Sequence, residues 1–486
     1  GWVGAAIGSA QGSRGTHGLQ PPDSGEYNPC MLRRNFVTST AAGMTALSSS
    51  RVLGANDRIN MALVGCGGRG RGVARDIREA GNVAYIAVAD VYKTNAGTAR
   101  EWAGADAKSF QDFRKALELK DVDAVHIATP DHWHAIASIL ACQAGKDVYV
   151  EKPASLTIRE GRAMVNAARK HKRIVNVGTQ HRSAPHFMKI AEMIQRGDIG
   201  QVKFVRIWNY ANHTLFPMSP MPDRDPPAGL DWDMYLGPSP KVPFNQKRFL
   251  GSFRYFWDYS GGYITDFGNH RLDTMQQIMN VSAPHTISAS GGLYVVKDGR
   301  ETPDFVSVTY EYDGFIATYE GSNLNSYGMG GRTPAHRYYN SRGEWDQPNG
   351  MAFYGTEAVL VAERIGWEIF PEPDTATMGR RRSEGEAPPV PARKRSPNNK
   401  RMWENVAEPT KAHAANFIES LRSRKTPNAD IEIGHRGTSV ALLGNIAMRT
   451  GKKLRWDAKK EEFTGAADAS AMLTRNLRKP WDLIKL

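Results

Sequence analysis

Between Ile59 and Gly178 the chain alternates short apolar runs with amphipathic ones, and that alternation restricts the fold more than any other feature. INMALVG, VAYIAVAD, DAVHIAT, KDVYVE and RIVNVG have the length and β-branched content of buried strands. RGVARDIREA, HAIASILACQAG and TIREGRAMVNAARKH instead carry apolar residues at helical spacing. Strands separated by helices need crossover connections, which predicts an α/β fold with a parallel, doubly wound sheet. With right-handed crossovers, such a sheet gathers ligands at the carboxyl ends of its strands. The chemistry is therefore to be sought where these strands stop.

The first strand runs into GCGGRG, setting Gly65, Gly67 and Gly70 in GxGxxG spacing, with Gly68 and Arg69 between them. Glycine is required there for the tight turn and so that a pyrophosphate can approach the backbone and the helix N-terminus. GSAQGSRG near the N-terminus has similar content but no preceding strand. The second strand closes on Asp90, whose carboxylate would accept hydrogen bonds from ribose hydroxyls and repel a 2′-phosphate. NAD is thus favoured, although Arg69, Arg71 and Lys93 lie near enough to leave NADP open. A later strand ends in ATPDHWH, adding Thr129, Pro130 and His134 to the cofactor set. Two histidines at i, i+2, His132 and His134, make a poor ligand pair, so no metal site is expected. KDVYVE continues into Lys152-Pro153, which puts Glu151 and Lys152 beside the nicotinamide position, with a surface ion pair as the plain alternative.

Farther on, GGYITDFGNHRLDTMQQIMNV predicts a short strand, a turn and an amphipathic helix, with Asp266 and His270 one helical turn apart on a common face. Taken alone, Asp266 could equally be a first-turn acid and His270 a packing residue. VKFVRIW, TISASGGLYVV, DFVSVTYEY and FIATYEG supply strands for a second domain, and helices near 412–422 and 436–450 close the chain, the latter ending at Gly451. The aromatic-rich segment before Gly261 suits a sugar face, or a core. Gln180, Arg182, Trp257 and Tyr259 are candidate substrate contacts.

The net charge of +13 invites a nucleic-acid partner. Its densest clusters, Arg380-Arg381-Arg382 and Arg393-Lys394-Arg395, lie in a Pro/Gly/Glu-rich stretch over 371–401 that has no interleaved aromatics. A flexible loop is expected there, and no nucleic acid. Three separated cysteines offer neither a disulfide framework nor a CxxC pair, and Cys66 and Cys142 are expected to pack. No apolar run is long enough to span a membrane.

These motifs carry a resemblance. MALVGCGGRG, TPDHWHAIASILACQAGKDVYVEKPAS, VGTQHR, SGGYITDFGNHRLD, FYGTEAVL and NFIESLRSRKTPNADIEIGHRGTSVALLGNIAMRTG resemble the glucose-fructose oxidoreductase, inositol dehydrogenase and MocA family. The resemblance implies a nucleotide-binding Rossmann domain over 56–180 and an α/β domain over 181–486, whose large, mainly antiparallel sheet supports a dimer or tetramer. It implies hydride transfer between NAD(P) and a hydroxyl of a sugar, polyol or glycoside. Lys152, Asp266 and His270 become its catalytic group, with Asp266 orienting the imidazole and a cis Lys152–Pro153 bond directing the lysine. Some relatives instead cleave glycosides by a redox-neutral cycle on NAD, and a non-catalytic binding protein is a third alternative.

MLRRNFVTSTAAGMTALSSSRVLGA resembles a twin-arginine export signal through Arg33-Arg34, against the alternative of a basic disordered terminus and a cytoplasmic protein. Residues 1–55 are therefore expected to be a leader with an upstream extension before Met31. An exported, periplasmic nicotinamide enzyme is expected to bind its nucleotide tightly, with Arg69 and Arg71 covering the pyrophosphate.

Overall fold

The computed structural model describes residues 58–213, 218–326, 328, 347–372 and 401–483. The leader, Cys30 and both basic clusters lie outside the described residues.

The apolar runs form a six-stranded, all-parallel sheet in the order β3-β2-β1-β4-β5-β6. Its strands are β1 (Ile59–Val64), β2 (Val83–Ala89), β3 (Lys108–Phe110), β4 (Ala124–Ile127), β5 (Asp147–Val150) and β6 (Val175–Val177). Helices cover both faces, so β4 and β5 are buried at every position and their sequences show no alternation. Strand order reverses between β1 and β4, which opens a crevice at their carboxyl ends. Helix Gly68–Glu79 leaves the glycine loop after β1. Helix Ile158–Lys170 starts from a capping box in which Thr157 and Glu160 satisfy each other's backbone N–H groups. The helix Lys93–Ala103 and edge strand β3 are additions to the sequence reading. Only Ala96 and Ala99 of that helix are buried, too thin a stripe to register as periodicity.

A second sheet has ten strands in the order β14-β13-β12-β11-β7-β10-β9-β8-β15-β16. They are β7 (Phe204–Tyr210), β8 (Thr286–Gly292), β9 (Phe305–Tyr312), β10 (Phe315–Ser322), β11 (Asn349–Tyr354), β12 (Ala358–Glu363), β13 (Gly366–Pro371), β14 (Met402–Asn405), β15 (Leu454–Asp457) and β16 (Glu462–Phe463). Only β7 and β10 pair in parallel. One face is covered by helices Pro185–Arg196, Asn269–Met279 and Ile431–Thr450, whose Phe187, Leu272 and Leu443 pack with Val308 and Tyr310. The other face is half exposed, and β9 accordingly alternates buried Val306, Val308 and Tyr310 with partly exposed Phe305, Ser307 and Thr309. Among the described residues, no helix is long and apolar enough to cross a membrane.

Segments far beyond residue 180 also pack on the first sheet. Helix Thr410–Ser423 returns to the first sheet, where Ala414, Phe417 and Ile418 pack with Met61, Val73, Ile77 and Tyr85. Trp481 meets Trp133 edge-on at 4.7 Å inside the same domain. The Rossmann core is completed from the far end of the chain, because the amphipathic face of a distant helix covers what the local helices leave open.

Candidate active site

The loop after β1 needs its glycines for different reasons. Gly65 has φ 87°, and a Cβ there would lie 2.5 Å from the Ala128 carbonyl carbon. A Cβ on Gly70 would lie 2.2 Å from the Gly65 oxygen. At Gly67 and Gly68 a Cβ would meet no protein atom within 4 Å, and both residues line a cavity. They leave free the space a bound group would use. Asp90 braces the loop: Oδ2 accepts the Cys66 N–H at 2.7 Å and Oδ1 the Tyr92 N–H at 2.8 Å. Burial raises the Asp90 carboxyl, and these donors work against that rise. Burial also pushes the Cys66 thiol well up, as befits a packing residue.

Arg69 and Arg71 both have partners within the protein. Arg69 Nε donates to Glu151 Oε1 at 3.0 Å, tying the glycine-loop helix to the end of β5, and Arg71 Nη1 donates to the Cys66 oxygen at 2.5 Å. Burial would raise the Glu151 carboxyl, but Arg69 brings it below its usual range. Glu151 and Lys152 thus each find their own partner rather than pairing together.

Lys152 follows β5, and the Lys152–Pro153 peptide is cis. Its Nζ donates to the Asp266 main-chain oxygen at 2.7 Å and to Oδ1 at 2.5 Å. Arg254 Nε donates to Oδ2 of the same carboxylate at 2.9 Å. Burial opposes ionisation of Asp266, yet Lys152 and Arg254 together bring its pKa to about 2. Two expectations fail here. No strand precedes Asp266, and it does not orient His270: residues Ile264–Gly268 form a π-helical turn, with the α-helix starting at Asn269. The wider turn breaks the common face assumed from α-helical spacing, and the carboxylate is taken by the lysine and the arginine.

A separate chain of groups reaches the His270 main chain. Arg364, in the turn between β12 and β13, donates through Nε to His181 Nε2 at 3.2 Å. A guanidinium can only donate, so His181 carries its proton on Nδ1, which lies 2.8 Å from Thr274 Oγ1. Thr274 in turn donates to the His270 main-chain oxygen at 2.6 Å. The two imidazoles lie 5.4 Å apart. Burial first, then the Lys152 and Arg364 charges, hold His270 well below its usual pKa, so it is neutral near pH 7.

These groups share one cavity of about 720 Å³, within the roughly 300–1,000 Å³ typical of small-molecule and cofactor sites. Glycine loop, Asp90, Thr129, Pro130, His134, Glu151, Lys152, Asp266 and His270 all line it. His134 links two strand ends, with Nδ1 2.7 Å from the Pro153 oxygen and Nε2 2.9 Å from the Thr129 oxygen. Four buried polar atoms on its walls have no protein partner: Thr129 Oγ1, Glu151 Oε2, Gln180 Oε1 and His270 Nδ1. Buried orphan groups are rare, and their convergence on one space fits a polar ligand with donors and acceptors.

Of the substrate candidates, only Gln180 reaches this cavity. Arg182 is paired at 2.9 Å with fully buried Asp273. The Trp257 ring lies under the Arg449 guanidinium at 4.7 Å. Tyr259 is fully buried with Trp232, Tyr235 and Phe256 in an aromatic cluster. These three are corrected to packing roles; aromatic content marks a core as readily as a binding wall. Arg254, Arg364 and His213 line the cavity but were missed, since no local pattern distinguishes them.

The oxidoreductase-family model for the NAD-binding Rossmann fold matches residues 59–179, and that for the C-terminal α/β domain matches 207–325 and 392–483. The chain belongs to the Gfo/Idh/MocA oxidoreductase family. Among family relatives, the uncharacterized oxidoreductase YrbE of Bacillus subtilis is 25% identical over 56% of this chain and 69% of its own length. Inositol 2-dehydrogenase of Rhizobium meliloti is 25% identical over 57% of this chain and 73% of its own. Levoglucosan dehydrogenase of Pseudarthrobacter phenanthrenivorans is 35% identical, but over only 23% of this chain and 29% of its own. A levoglucosan dehydrogenase solved with NADH and levoglucosan shares the fold at TM-score 0.57 and 18% identity, covering 84% of this chain and 99% of that one.

Proposed function

We propose that this family member is an NAD-dependent dehydrogenase acting on a hydroxyl of a sugar, polyol or glycoside. The observation that carries it is the meeting of Lys152, Asp266 and His270 with the glycine loop and Asp90 on the walls of one cavity. Relatives named inositol 2-dehydrogenase and levoglucosan dehydrogenase support the substrate class. Gly67 and Gly68 would admit the pyrophosphate and Asp90 would take the ribose hydroxyls; nicotinamide, when bound, supplies the hydride acceptor. Neutral His270 is free to accept the hydroxyl proton. Lys152 brings positive charge to the developing alkoxide, and Asp266, itself held by Arg254, keeps that ammonium in place. The test is a panel of sugars, polyols and aryl glycosides, followed for both reduced nicotinamide and released aglycone. Reduced nicotinamide on a sugar or polyol supports the dehydrogenase; aglycone release without net reduction overturns it in favour of the redox-neutral glycosidase.

Export by a twin-arginine route, a tightly held nucleotide and assembly into a dimer or tetramer belong to the same proposal. Arg33-Arg34 supports the first, the family's cofactor use the second, and the half-exposed sheet face the third. Heat denaturation of protein purified without added cofactor should release nearly one nicotinamide nucleotide per chain. Light scattering of the same preparation reads the assembly.

A further inference from the structure

The loop after β2, which carries Asp90, is bound to a distant stretch of the chain. Tyr92 and Leu230 form an antiparallel bridge, in which the Asp231 N–H donates to the Val91 oxygen at 2.9 Å and the Lys93 N–H to the Gly229 oxygen at 3.0 Å. Gln111 clamps the two segments together, since its Nε2 donates to both of those oxygens at 3.0 Å. From this bridge the chain enters the helix Trp232–Leu236 and later the 3₁₀ segment Leu250–Tyr255. Its aromatic side chains fold back on the loop, with the Phe249 ring edge-on to Tyr92 at 5.6 Å and to Tyr235 at 5.3 Å. Trp133 adds a further tie, donating through Nε1 to the Tyr235 oxygen at 3.0 Å. At the other end, Arg254 Nε holds Asp266 Oδ2. Residues 249–254 thus run along the cavity from its Asp90 end to its Lys152 end. Within that run Leu250 is 48% exposed with φ 54°, an apolar side chain on a strained backbone held at the cavity edge.

We propose that residues 229–256 are a strap across the nucleotide, which must part from the loop after β2 before NAD can enter or leave, and that Tyr92 and Gln111 are the positioning residues that set the rate. This rests on the nucleotide-binding reading of the cavity and supplies a cause for the tight retention proposed above. Gly67 and Gly68 line the same cavity as Phe249, Leu250 and Phe253, so a nucleotide on the glycine loop would lie against the strap. Every contact that joins strap to loop then stands in the way of exchange. Tyr92 does not itself line the cavity, so its ring acts on the nucleotide only through Phe249. Its main-chain N–H, which Asp90 Oδ1 accepts, survives any change of side chain. A barrier of this kind slows entry as much as exit, whereas a contact to the ligand slows exit alone.

The experiment follows NADH binding, and its displacement by excess NAD, by stopped-flow fluorescence after charcoal has stripped any resident nucleotide. It compares the natural chain with Tyr92→Ala, Tyr92→Phe and Gln111→Ala. Tyr92→Ala and Gln111→Ala should each raise both rate constants by roughly 3- to 10-fold, the worth of an aromatic pair or of one or two hydrogen bonds, and leave the dissociation constant nearly unchanged. Tyr92→Phe keeps the ring and should match the natural chain. Tyr92 is half-buried, so its truncation should leave a folded protein; should urea titration show otherwise, Gln111→Ala decides. A rise in the off-rate alone, or no change in either rate, overturns the strap while leaving a nucleotide-binding protein. If the natural chain is purified empty but the variants still exchange faster in both directions, the strap stands and tight retention fails. A natural chain that binds no NADH overturns the strap and the dehydrogenase reading together.

Discussion

Asp266 is shared by two cations, and that sharing sets what nearby substitutions should do. Lys152→Ala removes the charge that would stabilise the alkoxide and should lower kcat by about 10²–10³-fold, the usual cost of one such donor. The NAD dissociation constant, read by fluorescence titration, should change little. Lys152→Met offers a second readout. A neighbouring cation disfavours imidazolium, and Lys152 stands after burial as a cause of the depressed His270 pKa. Its loss should therefore raise the His270 titration midpoint seen by NMR. Asp90→Ser should move nucleotide preference toward NADP, because a carboxylate that repels a 2′-phosphate has gone. It should also weaken both nucleotides, as the Cys66 N–H loses its acceptor. Lys152, Asp266 and His270 were singled out by motifs that resemble the family's, and all three line the cavity. Arg254, Arg364 and His181 were not: their meaning lies in partners far away in the chain, and an isolated arginine or histidine carries no spacing to read.

Among elements, the π-helical turn and helix Thr410–Ser423 separate what pattern can show from what packing decides. Continuous apolar runs announced β1, β2, β4, β5 and β6, and Gly451 marked the end of the long closing helix, which starts at Ile431 rather than at 436. The π turn was invisible, since its residues differ little from those of an α-helix and the wider turn is settled by the groups around it. The helix Thr410–Ser423 was legible as a helix but not as part of the first domain. Its apolar face says that it packs, not against what. Phe417 is fully buried against β1 and β2. Phe417→Ala should cost about 3–5 kcal/mol by denaturant titration. A fragment limited to 56–180 should fail to give a cooperative transition, since this face of its core would be open to water.

Across the whole molecule, several histidines are buried as neutral groups. Burial holds His126, His186 and His413 at about 4 and His132 at about 3. Below about pH 6.5 the unfolded chain takes up protons that these folded sites refuse, so stability falls with pH until the folded values are reached. The paired carboxylates act lower: Asp266 and Asp298, both near 2, lose their contribution as pH drops from about 4 toward 2. Asp131 and Asp273, raised by burial, oppose this above about pH 4. Urea titrations should thus show stability already falling between pH 6.5 and 4.5, before the paired carboxylates begin to titrate.

The return of Thr410–Ser423 and Trp481 to the first sheet also bears on synthesis. A domain whose first strand is Ile59–Val64 would ordinarily be free to fold while the ribosome is still at work. This one lacks a wall of its core until nearly all of the chain has emerged. Nascent chains arrested before residue 410 should remain protease-sensitive and chaperone-bound throughout, then acquire resistance in a single late step as the final helices dock.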